Sequence, residues 1–311
     1  MLLFEASDTH KQGQPTSVMR HGPPTIDEPL NTPILFILSN ERSGSSLLQM
    51  CLQCHSELYA GQELHLLPFT DLEERSRLLP MEMKAGLHKN AMDLKACSFE
   101  AAYDWLGGLE RRAAPTWRLY QLLQELCTVR ILVDKTPHNG DHPSFLAHAH
   151  AIFGMSASFC HLVRHPYSCI SSGLELRRDV CMNANVTWSE VEQAYLTLQS
   201  NVRAFLAELH PECGQRRIRY EDLLREPVSV LRSVCMLVGL DFQTGMEAPY
   251  ESADAMASFQ AASLNATTDP KLFQRKTIES SQADKWRKVR LPQPLRAETA
   301  ALAMEYEYEL L

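Results

Sequence analysis

One short segment, from Pro33 to Gln53, constrains the fold of this chain more than any other. Five consecutive apolar residues, Ile34 to Leu38, predict a buried strand, and a polar loop from Ser39 to Ser46 follows it. Apolar residues spaced as on one face of a helix come next, namely Leu47, Leu48, Cys51 and Leu52. This order directs several backbone N–H groups and the positive end of a helix dipole at one point. The segment therefore predicts a binding site for a phosphate or sulfate group.

The residues of this loop suit an anion. Arg42 adds a positive charge with a bidentate fork, Gly44 lets the backbone approach closely, and the hydroxyls of Ser45 and Ser46 can donate. Taken alone, the segment is equally consistent with an ordinary strand-to-helix turn that contains an incidental arginine. The motif G-x-x-x-x-G-K-[ST] is absent, which argues against kinase or ATPase chemistry. A sulfuryl group in transfer carries less charge than a γ-phosphoryl group, so this loop can serve it without a dedicated magnesium site.

Three further apolar or alternating runs predict strands, and each is followed by polar residues and then by a helical pattern. They are Ile131 to Asp134, Phe159 to Val163 and Ile218 to Tyr220. Strands that alternate with helices imply an α/β fold, with a P-loop-type parallel sheet flanked by helices on both faces. The stretch from Leu72 to Leu126 is mainly helical in its pattern, and we expect a helical cap over the sheet edge and the substrate site.

The length of 311 residues suits one elaborated domain, which we expect to span residues 31–311. Residues 1–30 are rich in Pro, Gly, Thr and His without periodicity, which is typical of a flexible tail or linker. The chain carries 30 Lys+Arg against 38 Asp+Glu, so it has no global positive field to attract nucleic acid or an anionic membrane surface. Any anionic ligand must therefore be bound by local cations.

The sequence also bears on the compartment. It lacks a signal segment, and no apolar run approaches the roughly 20 residues that a membrane helix requires. Its nine cysteines are scattered, and the close pair Cys51 and Cys54 has no second pair at zinc-site spacing. We therefore expect a soluble cytoplasmic protein with reduced thiols and with neither nucleic acid nor membrane as a partner.

A second candidate anion site follows the predicted strand Phe159 to Val163. Arg164 leaves the end of that strand, and Ser172 lies eight residues further along. An arginine at the carboxyl end of a parallel strand, with a hydroxyl one or two helical turns on, makes a phosphate clamp. Alone, Arg164 also fits a surface arginine near a turn. Two such clamps in one sheet form a stronger signal for an anionic ligand than either clamp alone.

Six short motifs occur in a fixed order, and together they form a stronger signal than any one of them. They are Arg42–Leu48, Glu63–Phe69, Val133–Pro137, Leu162–Tyr167, Arg219–Leu223 and Ala283–Arg287. Through these motifs the chain resembles, over residues 33–310, the sulfotransferase superfamily that uses 3′-phosphoadenosine 5′-phosphosulfate (PAPS) as donor. The resemblance is closest to the sulfotransferase domains of polyketide and olefin synthases and their stand-alone relatives.

The resemblance implies PAPS as co-substrate, adenosine 3′,5′-bisphosphate (PAP) as product and no metal. The loop would hold the 5′-phosphosulfate, with Arg42 where many family members have lysine. Arg164 and Ser172 match contacts to the 3′-phosphate, and Tyr220 matches a residue near the adenosine. A basic loop that closes over the 3′-phosphate is also implied, although the glycine that usually follows Arg-Lys is absent. The implied donor-binding residues are Arg42, Ser43, Gly44, Ser45, Ser46, Arg164, Ser172, Tyr220, Arg275 and Lys276.

Sulfuryl transfer also needs a base for the acceptor proton, and the candidates are Glu63 and His65. On an extended segment their side chains would lie on one face. The pair resembles the Glu-x-His pair of sulfotransferases that act on glycans, so we expect Glu63 to be the base and His65 its orienting or proton-sharing partner. The reverse assignment stays open, as does a structural role in which Glu63 caps a helix and His65 lies in the core. Burial would raise the pKa of Glu63 whereas Arg42 and Lys135 would lower it, so the net direction is not predicted.

Lys135 directly follows the second predicted strand, where a cation would face the same crevice. In glycan sulfotransferases a lysine in a similar Lys-Thr/Ser-Pro context touches the transferring group. The resemblance thus implies catalytic roles for Lys135 and Arg42 beside Glu63 and His65, although a structural lysine also fits. Four further histidines match no metal-binding pattern, and we expect them to be solvated: His138, His142, His148 and His150.

The sequence therefore predicts a sulfotransferase that transfers a sulfuryl group from PAPS to a hydroxyl. The resemblance to synthase domains suggests a small metabolite, or the β-hydroxyl of an acyl chain presented by an acyl carrier protein. Two alternatives remain at this stage, a nucleotide kinase of similar architecture and a non-catalytic protein that binds adenosine bisphosphate.

Overall fold

A five-stranded, wholly parallel sheet forms the centre of the computed structural model, which describes residues 28–128, 130–179, 185–253, 255–256 and 275–311. The strand order is β2-β3-β1-β4-β5, so the first strand along the chain lies in the middle of the sheet. Its residue Ile34 pairs with Leu132 on one side and with Ala157 on the other. The strands are β1 (Ile34–Leu38), β2 (Leu58–Tyr59), β3 (Ile131–Asp134), β4 (Ala157–Val163) and β5 (Gln215–Arg219).

Helices cover both faces of this sheet. Strand β1 is fully buried, and its side chains alternate between two hydrophobic cores. Ile34, Phe36 and Leu38 enter the core on one face, and Leu35 and Ile37 enter the core on the other. The predicted α/β fold with helices on both faces is thereby confirmed.

The stretch from Leu72 to Leu126 is confirmed as mainly helical and forms four consecutive helices, α2–α5. These helices share the core that contains Phe36. In chain order the α-helices of the described residues are α1 (Ser45–Gln53), α2 (Leu72–Leu78), α3 (Met81–Lys95), α4 (Phe99–Glu110), α5 (Thr116–Cys127), α6 (Pro143–Phe153), α7 (Pro166–Asp179), α8 (Trp188–Glu208), α9 (Tyr220–Arg225), α10 (Pro227–Leu237) and α11 (Ala297–Glu305). Three 3₁₀ segments accompany them: Pro137–Gly140, Gly154–Ser156 and Ser280–Lys288.

The structure corrects the predicted strands in two places. Strand β2 was not predicted, because two residues are too short to show a pattern. The strand expected at Ile218 to Tyr220 begins earlier, at Gln215, and Tyr220 is already the first residue of α9. The first three residues of β5 are exposed and polar, which is why hydrophobic periodicity does not reveal this edge strand.

The remaining general expectations concern the tail, the thiols and the membrane. The predicted tail at residues 1–30 lies largely outside the described residues. Eight cysteines are described, and all eight carry free thiols. Within the described ranges, no helix combines the length and the hydropathy that crossing a membrane would require.

Candidate active site

The loop between β1 and α1 turns sharply at two residues. Arg42 has a φ of 66° and Gly44 a φ of 88°, both in the left-handed region. A Cβ atom added to Gly44 would lie 2.2 Å from Cδ2 of Tyr220, so only glycine fits between the loop and this ring. Gly44 is the N-cap of α1. Because glycine has no side chain, it accepts no hydrogen bond from the first amides of this helix through one. These amides form a site where an anion can bind.

The two predicted phosphate clamps lie next to each other. Nε of Arg42 donates to Oγ of Ser172 at 3.0 Å, and Nη1 of Arg164 donates to the carbonyl oxygen of Arg42 at 2.6 Å. The guanidinium of Arg164 also stacks over the ring of Tyr220, 4.7 Å from its centroid. Nε of Arg164 is buried and has no hydrogen-bond partner among the described residues. A buried donor of this kind marks a place where an anionic ligand would satisfy it.

Other predicted donor contacts surround the same crevice. Nη1 of Arg275 lies 3.5 Å from the hydroxyl of Tyr220, whereas Lys276 is exposed to solvent. Ser43 is fully buried beneath the loop, with its Oγ 3.5 Å from Sγ of Cys169. The next two predicted contacts are Ser45 and Ser46, the first two residues of α1.

Glu63 lies between two buried partners. Its Oε1 is 2.5 Å from Nζ of Lys135, and its Oε2 accepts a hydrogen bond of 3.1 Å from Nε2 of His65. Burial alone would raise the pKa of Glu63, but the charge of Lys135 and the hydrogen bond from His65 outweigh burial and lower it to about 2. Burial lowers the pKa of His65 despite the adjacent carboxylate, so this imidazole is neutral near pH 7.

The backbone at His65 differs from the extended segment that we expected. His65 has a φ of 48°, which is a left-handed conformation for a residue with a side chain. The hydroxyl of Thr136 accepts hydrogen bonds from the amides of Leu64 and His65, at 3.2 and 3.3 Å. Glu63 lies outside every helix, so it does not cap one. The two side chains therefore meet through a held turn rather than through strand alternation.

His138 contradicts the expectation that the four further histidines are solvated. Its Nε2 lies 3.4 Å from Oε1 of Glu41, and its Nδ1 lies 2.8 Å from Oδ2 of Asp141. Burial opposes its charge, but the two carboxylates outweigh burial and raise the pKa of His138 to about 10. Its ring stacks on the ring of His65 with 6.0 Å between centroids. Because Glu41 belongs to the loop after β1, His138 connects that loop with the Glu63–His65 pair.

The other three histidines of that group differ in their exposure to solvent. His148 is also fully buried, and its Nδ1 donates to the carbonyl of Leu67 at 2.9 Å, so the expectation is wrong for it as well. It lies on the inward face of α6, and the sequence pattern did not show which face of this helix is buried. His142 is exposed as expected, and His150 is half-buried.

Comparison with known proteins places this arrangement in a family. The profile of the sulfotransferase family matches residues 33–244, which include the loop, Glu63, Lys135, Arg164 and Tyr220. The chain belongs to the sulfotransferase family.

Two solved structures resemble this sulfotransferase over almost its whole length. The sulfotransferase domain from the curacin biosynthetic pathway is 36% identical, with a TM-score of 0.83, and the match covers 91% of this chain and 100% of that one. The sulfotransferase domain from the Synechococcus PCC 7002 olefin synthase is 32% identical, with a TM-score of 0.80, covering 96% and 100%. No curated protein sequence matches the chain significantly. The nucleotide-kinase and non-catalytic alternatives are set aside.

In this sulfotransferase the predicted site residues thus lie together where the strands end. The Arg42 loop follows β1, Lys135 follows β3, Arg164 follows β4 and Tyr220 follows β5. Because carboxyl ends of parallel strands meet at one edge, this is the crevice where ligands of open α/β sheets bind.

Three polar residues near this crevice were not predicted. Glu41 pairs with Arg177 at 3.3 Å as well as with His138. Thr136 anchors the turn at His65, and a fully buried Arg75 lies behind that turn. Glu41 lies in the predicted loop from Ser39 to Ser46 and Thr136 in the motif Val133–Pro137, so their polarity at these places was the available signal.

Proposed function

We propose that this sulfotransferase takes the sulfuryl group from PAPS and transfers it to an acceptor hydroxyl, releasing PAP. The observation that carries the choice of donor is the pair of adjoining arginines, Arg42 and Arg164, with a buried Nε on Arg164 that no group in the described part of the chain contacts by a hydrogen bond. A donor with phosphate groups at both 5′ and 3′ positions would use two cationic contacts side by side. ATP, by comparison, has no phosphate group at the 3′ position.

The proposed donor contacts follow the geometry of the crevice. The loop amides and Arg42 hold the 5′-phosphosulfate, and Arg164 with Ser172 holds the 3′-phosphate. Ser172 already accepts a hydrogen bond from Arg42, so its own hydroxyl proton remains available to the phosphate. Tyr220 supports the adenosine side, and Arg275 approaches it through the Tyr220 hydroxyl. We further propose residues 31–311 as the sulfotransferase domain and residues 1–30 as a tail or linker.

The proposed chemistry is a direct in-line transfer. The acceptor oxygen forms a bond to sulfur while the bond between sulfur and the bridging phosphosulfate oxygen breaks, and the negative charge departs on PAP. The acceptor proton passes to Glu63, with His65 sharing it through the existing hydrogen bond. Lys135 and Arg42 stabilise the charge on the leaving phosphate.

The low pKa of Glu63 describes the protein before the donor binds. At a pKa of about 2, the carboxylate is a weak base for a hydroxyl proton. An incoming phosphosulfate group competes for the ammonium group of Lys135 and draws it away from Glu63. The pKa of Glu63 then rises, because burial raises it and the largest contribution that opposed burial has moved to the donor.

The proposed acceptor is the β-hydroxyl of an acyl chain carried by an acyl carrier protein, with a small hydroxylated metabolite as the simpler case. Its support is the similarity, at 36% and 32% identity, to sulfotransferase domains from the curacin biosynthetic pathway and an olefin synthase.

The donor can be tested by thermal unfolding with PAP, or with ATP and magnesium. A ligand at 100 times its Kd adds about 2.7 kcal/mol to the free energy of unfolding, so PAP should raise the Tm measurably. Arg164→Ala should lose most of that shift. Stabilisation by ATP with magnesium but not by PAP would contradict the proposed donor.

The base and the acceptor require turnover measurements with a sulfur-labelled donor. Glu63→Gln should keep the Tm shift with PAP and lose turnover, and normal turnover would move the base to His65 or elsewhere. A β-hydroxyacyl carrier protein should accept the label, whereas the matched carrier without the β-hydroxyl should not. Label transfer only to free small alcohols would remove the carrier protein from the proposal.

A further inference from the structure

The segment that contains Glu63 and His65 is held almost entirely by side chains of other elements. The segment from Gly61 to Phe69, hereafter the Glu63 segment, contains no helix or strand although most of it is buried. Buried backbone polar groups need partners, and here they cannot come from a regular ladder. The described partners are Gln49 to the carbonyl of Gly61, Asn90 to both polar groups of Gln62, Thr136 to the amides of Leu64 and His65, and His148 to the carbonyl of Leu67.

Arg75 supplies the contacts on the carbonyl side of this segment. Its Nε donates to the carbonyls of Leu64 and His65 at 3.1 and 3.0 Å, and its Nη2 donates to Leu64 again at 2.9 Å. The residue is only 1% exposed. Burying a guanidinium is costly, and burial lowers the pKa of Arg75 to about 10. Its hydrogen bonds in the described part of the chain go only to these two neutral carbonyls.

The position of these carbonyls explains why a buried arginine is useful. His65 is held in the left-handed conformation, which is strained for a residue with a Cβ. Thr136 holds the amide side of this residue, and Arg75 holds its carbonyl side. Released from one of these contacts, the backbone would relax to a negative φ. The side chain of His65 would then point away from Glu63.

Arg75 also connects the Glu63 segment to the four helices α2–α5, hereafter the cap helices. It lies in α2, whose N-cap Asp71 accepts a hydrogen bond from the amide of Glu74 at 2.8 Å. The amide of Leu72 bonds the carbonyl of Ala114 at 3.0 Å, which ties α2 to the loop before α5. A shift of the cap helices would therefore move Arg75 and, with it, the turn at His65.

We propose that Arg75 is a positioning residue for sulfuryl transfer, which holds the left-handed turn at His65 so that His65 and Glu63 face each other beside Lys135. This inference rests on the proposed role of Glu63 and His65. In the described contacts Arg75 donates to backbone carbonyls and to neither of these two side chains, so it positions them through the backbone, while its charge also lowers the pKa of His65.

Arg75→Lys is the primary test, because lysine keeps the buried charge and loses the fork that reaches both carbonyls. A displacement of about 1 Å at reacting groups costs on the order of 100-fold in rate, so kcat should fall by about that factor. The KM for PAPS and the Tm shift with PAP should stay within about twofold, because the donor crevice is unchanged. Arg75→Gln, which keeps one donor group without the charge, should also lose kcat.

Leu106→Ala is the matched control. Leu106 lies in α4 and is buried at 1% exposure, and its truncation should destabilise the cap helices without removing a contact to the turn at His65. Assayed well below its Tm, this variant should keep kcat within threefold. A loss of kcat equal to that of Arg75→Lys would show that cap stability alone matters and would overturn the inference.

Two further outcomes separate this inference from the proposed function. Adding Arg75→Lys to Glu63→Gln should cause no further loss of turnover, since Arg75 acts only through that pair. If Glu63→Gln is inactive and Arg75→Lys retains kcat, the positioning role fails and the proposed function stands. If Glu63→Gln is fully active, the proposed base fails first. An Arg75→Lys protein without a Tm shift for PAP would also overturn the inference, because it predicts an intact donor site.

Discussion

The ion pair between Lys135 and Glu63 gives the sharpest quantitative prediction. Its two charged atoms are 2.5 Å apart, and the side chains are 4% and 15% exposed. The pKa of Glu63 falls from its ordinary 4.5 to about 2 although burial opposes the fall, which corresponds to about 3 kcal/mol in favour of the ionised form. The charge of Lys135 is the largest single contribution that lowers the pKa of Glu63, and the hydrogen bond from His65 is the next.

Removing one partner should therefore leave the other charge buried and uncompensated. Lys135→Met and Glu63→Gln should each destabilise the protein by about 3 kcal/mol. The double variant buries no unpaired charge, so its loss should fall short of the sum by about 2 kcal/mol. The measurement is urea unfolding of the wild type, both single variants and the double variant at pH 7.5, followed by far-UV circular dichroism.

The exposed pair Arg118 and Glu125 is a control within the same protein. Its atoms are 3.3 Å apart, but the side chains are 41% and 54% exposed, so its coupling should stay below about 1 kcal/mol. Additivity of the Lys135 and Glu63 variants within about 0.5 kcal/mol would refute the argument that this pair is electrostatically coupled. The pH dependence has a definite sign as well. Because the pKa of Glu63 is lower in the folded protein, its stabilising contribution is present above about pH 4.5 and is lost as the pH falls towards 2.

Two further predictions concern the loop and the buried histidines. Gly44→Ala places a Cβ 2.2 Å from the Tyr220 ring, so the affinity for PAP measured by calorimetry should fall at least about tenfold, which is about 1.4 kcal/mol. Gly239→Ala is the control, because Gly239 also has a positive φ, of 73°, but has open space around it. This variant should leave the affinity for PAP unchanged. Burial lowers the pKa values of His161 and His165 to about 4. Between pH 6.5 and 4 these histidines therefore bind more protons in the unfolded chain than in the folded protein. As the pH falls through this window, the free energy of unfolding should decrease by up to about 3 kcal/mol for each residue. Equal urea midpoints at pH 7 and pH 5 would contradict this expectation.

The fold around the predicted donor side was predictable because it depends on local sequence. A buried strand, a turn and a helix must follow one another for the loop to form, and each leaves a pattern in consecutive residues. The same holds for Arg164 and Ser172, since one residue ends a strand and the other lies two turns into the next helix. Parallel pairing then brings both clamps to one edge of the sheet, which the fold class already implied.

The acceptor side was less predictable because its geometry depends on contacts across the fold. Glu63 and His65 were singled out by spacing, yet the left-handed turn at His65 depends on Thr136 and Arg75, which lie elsewhere in the chain. His138 was expected in solvent because nothing near it in sequence indicates the carboxylate of Glu41, which lies nearly a hundred residues earlier. Side-chain anchors of an irregular segment leave no periodic signal.

The ion pair between Lys135 and Glu63 sets the order of the proposed reaction. While Lys135 binds Glu63, the pKa of the carboxylate stays near 2 and the base is weak, so a hydroxyl that arrives before the donor is not activated. A phosphosulfate group at the loop attracts the same ammonium group and releases the carboxylate into a buried environment that raises its pKa. The anion site built by the strand ends thus controls the base held by the Glu63 segment, and activation of the acceptor follows donor binding.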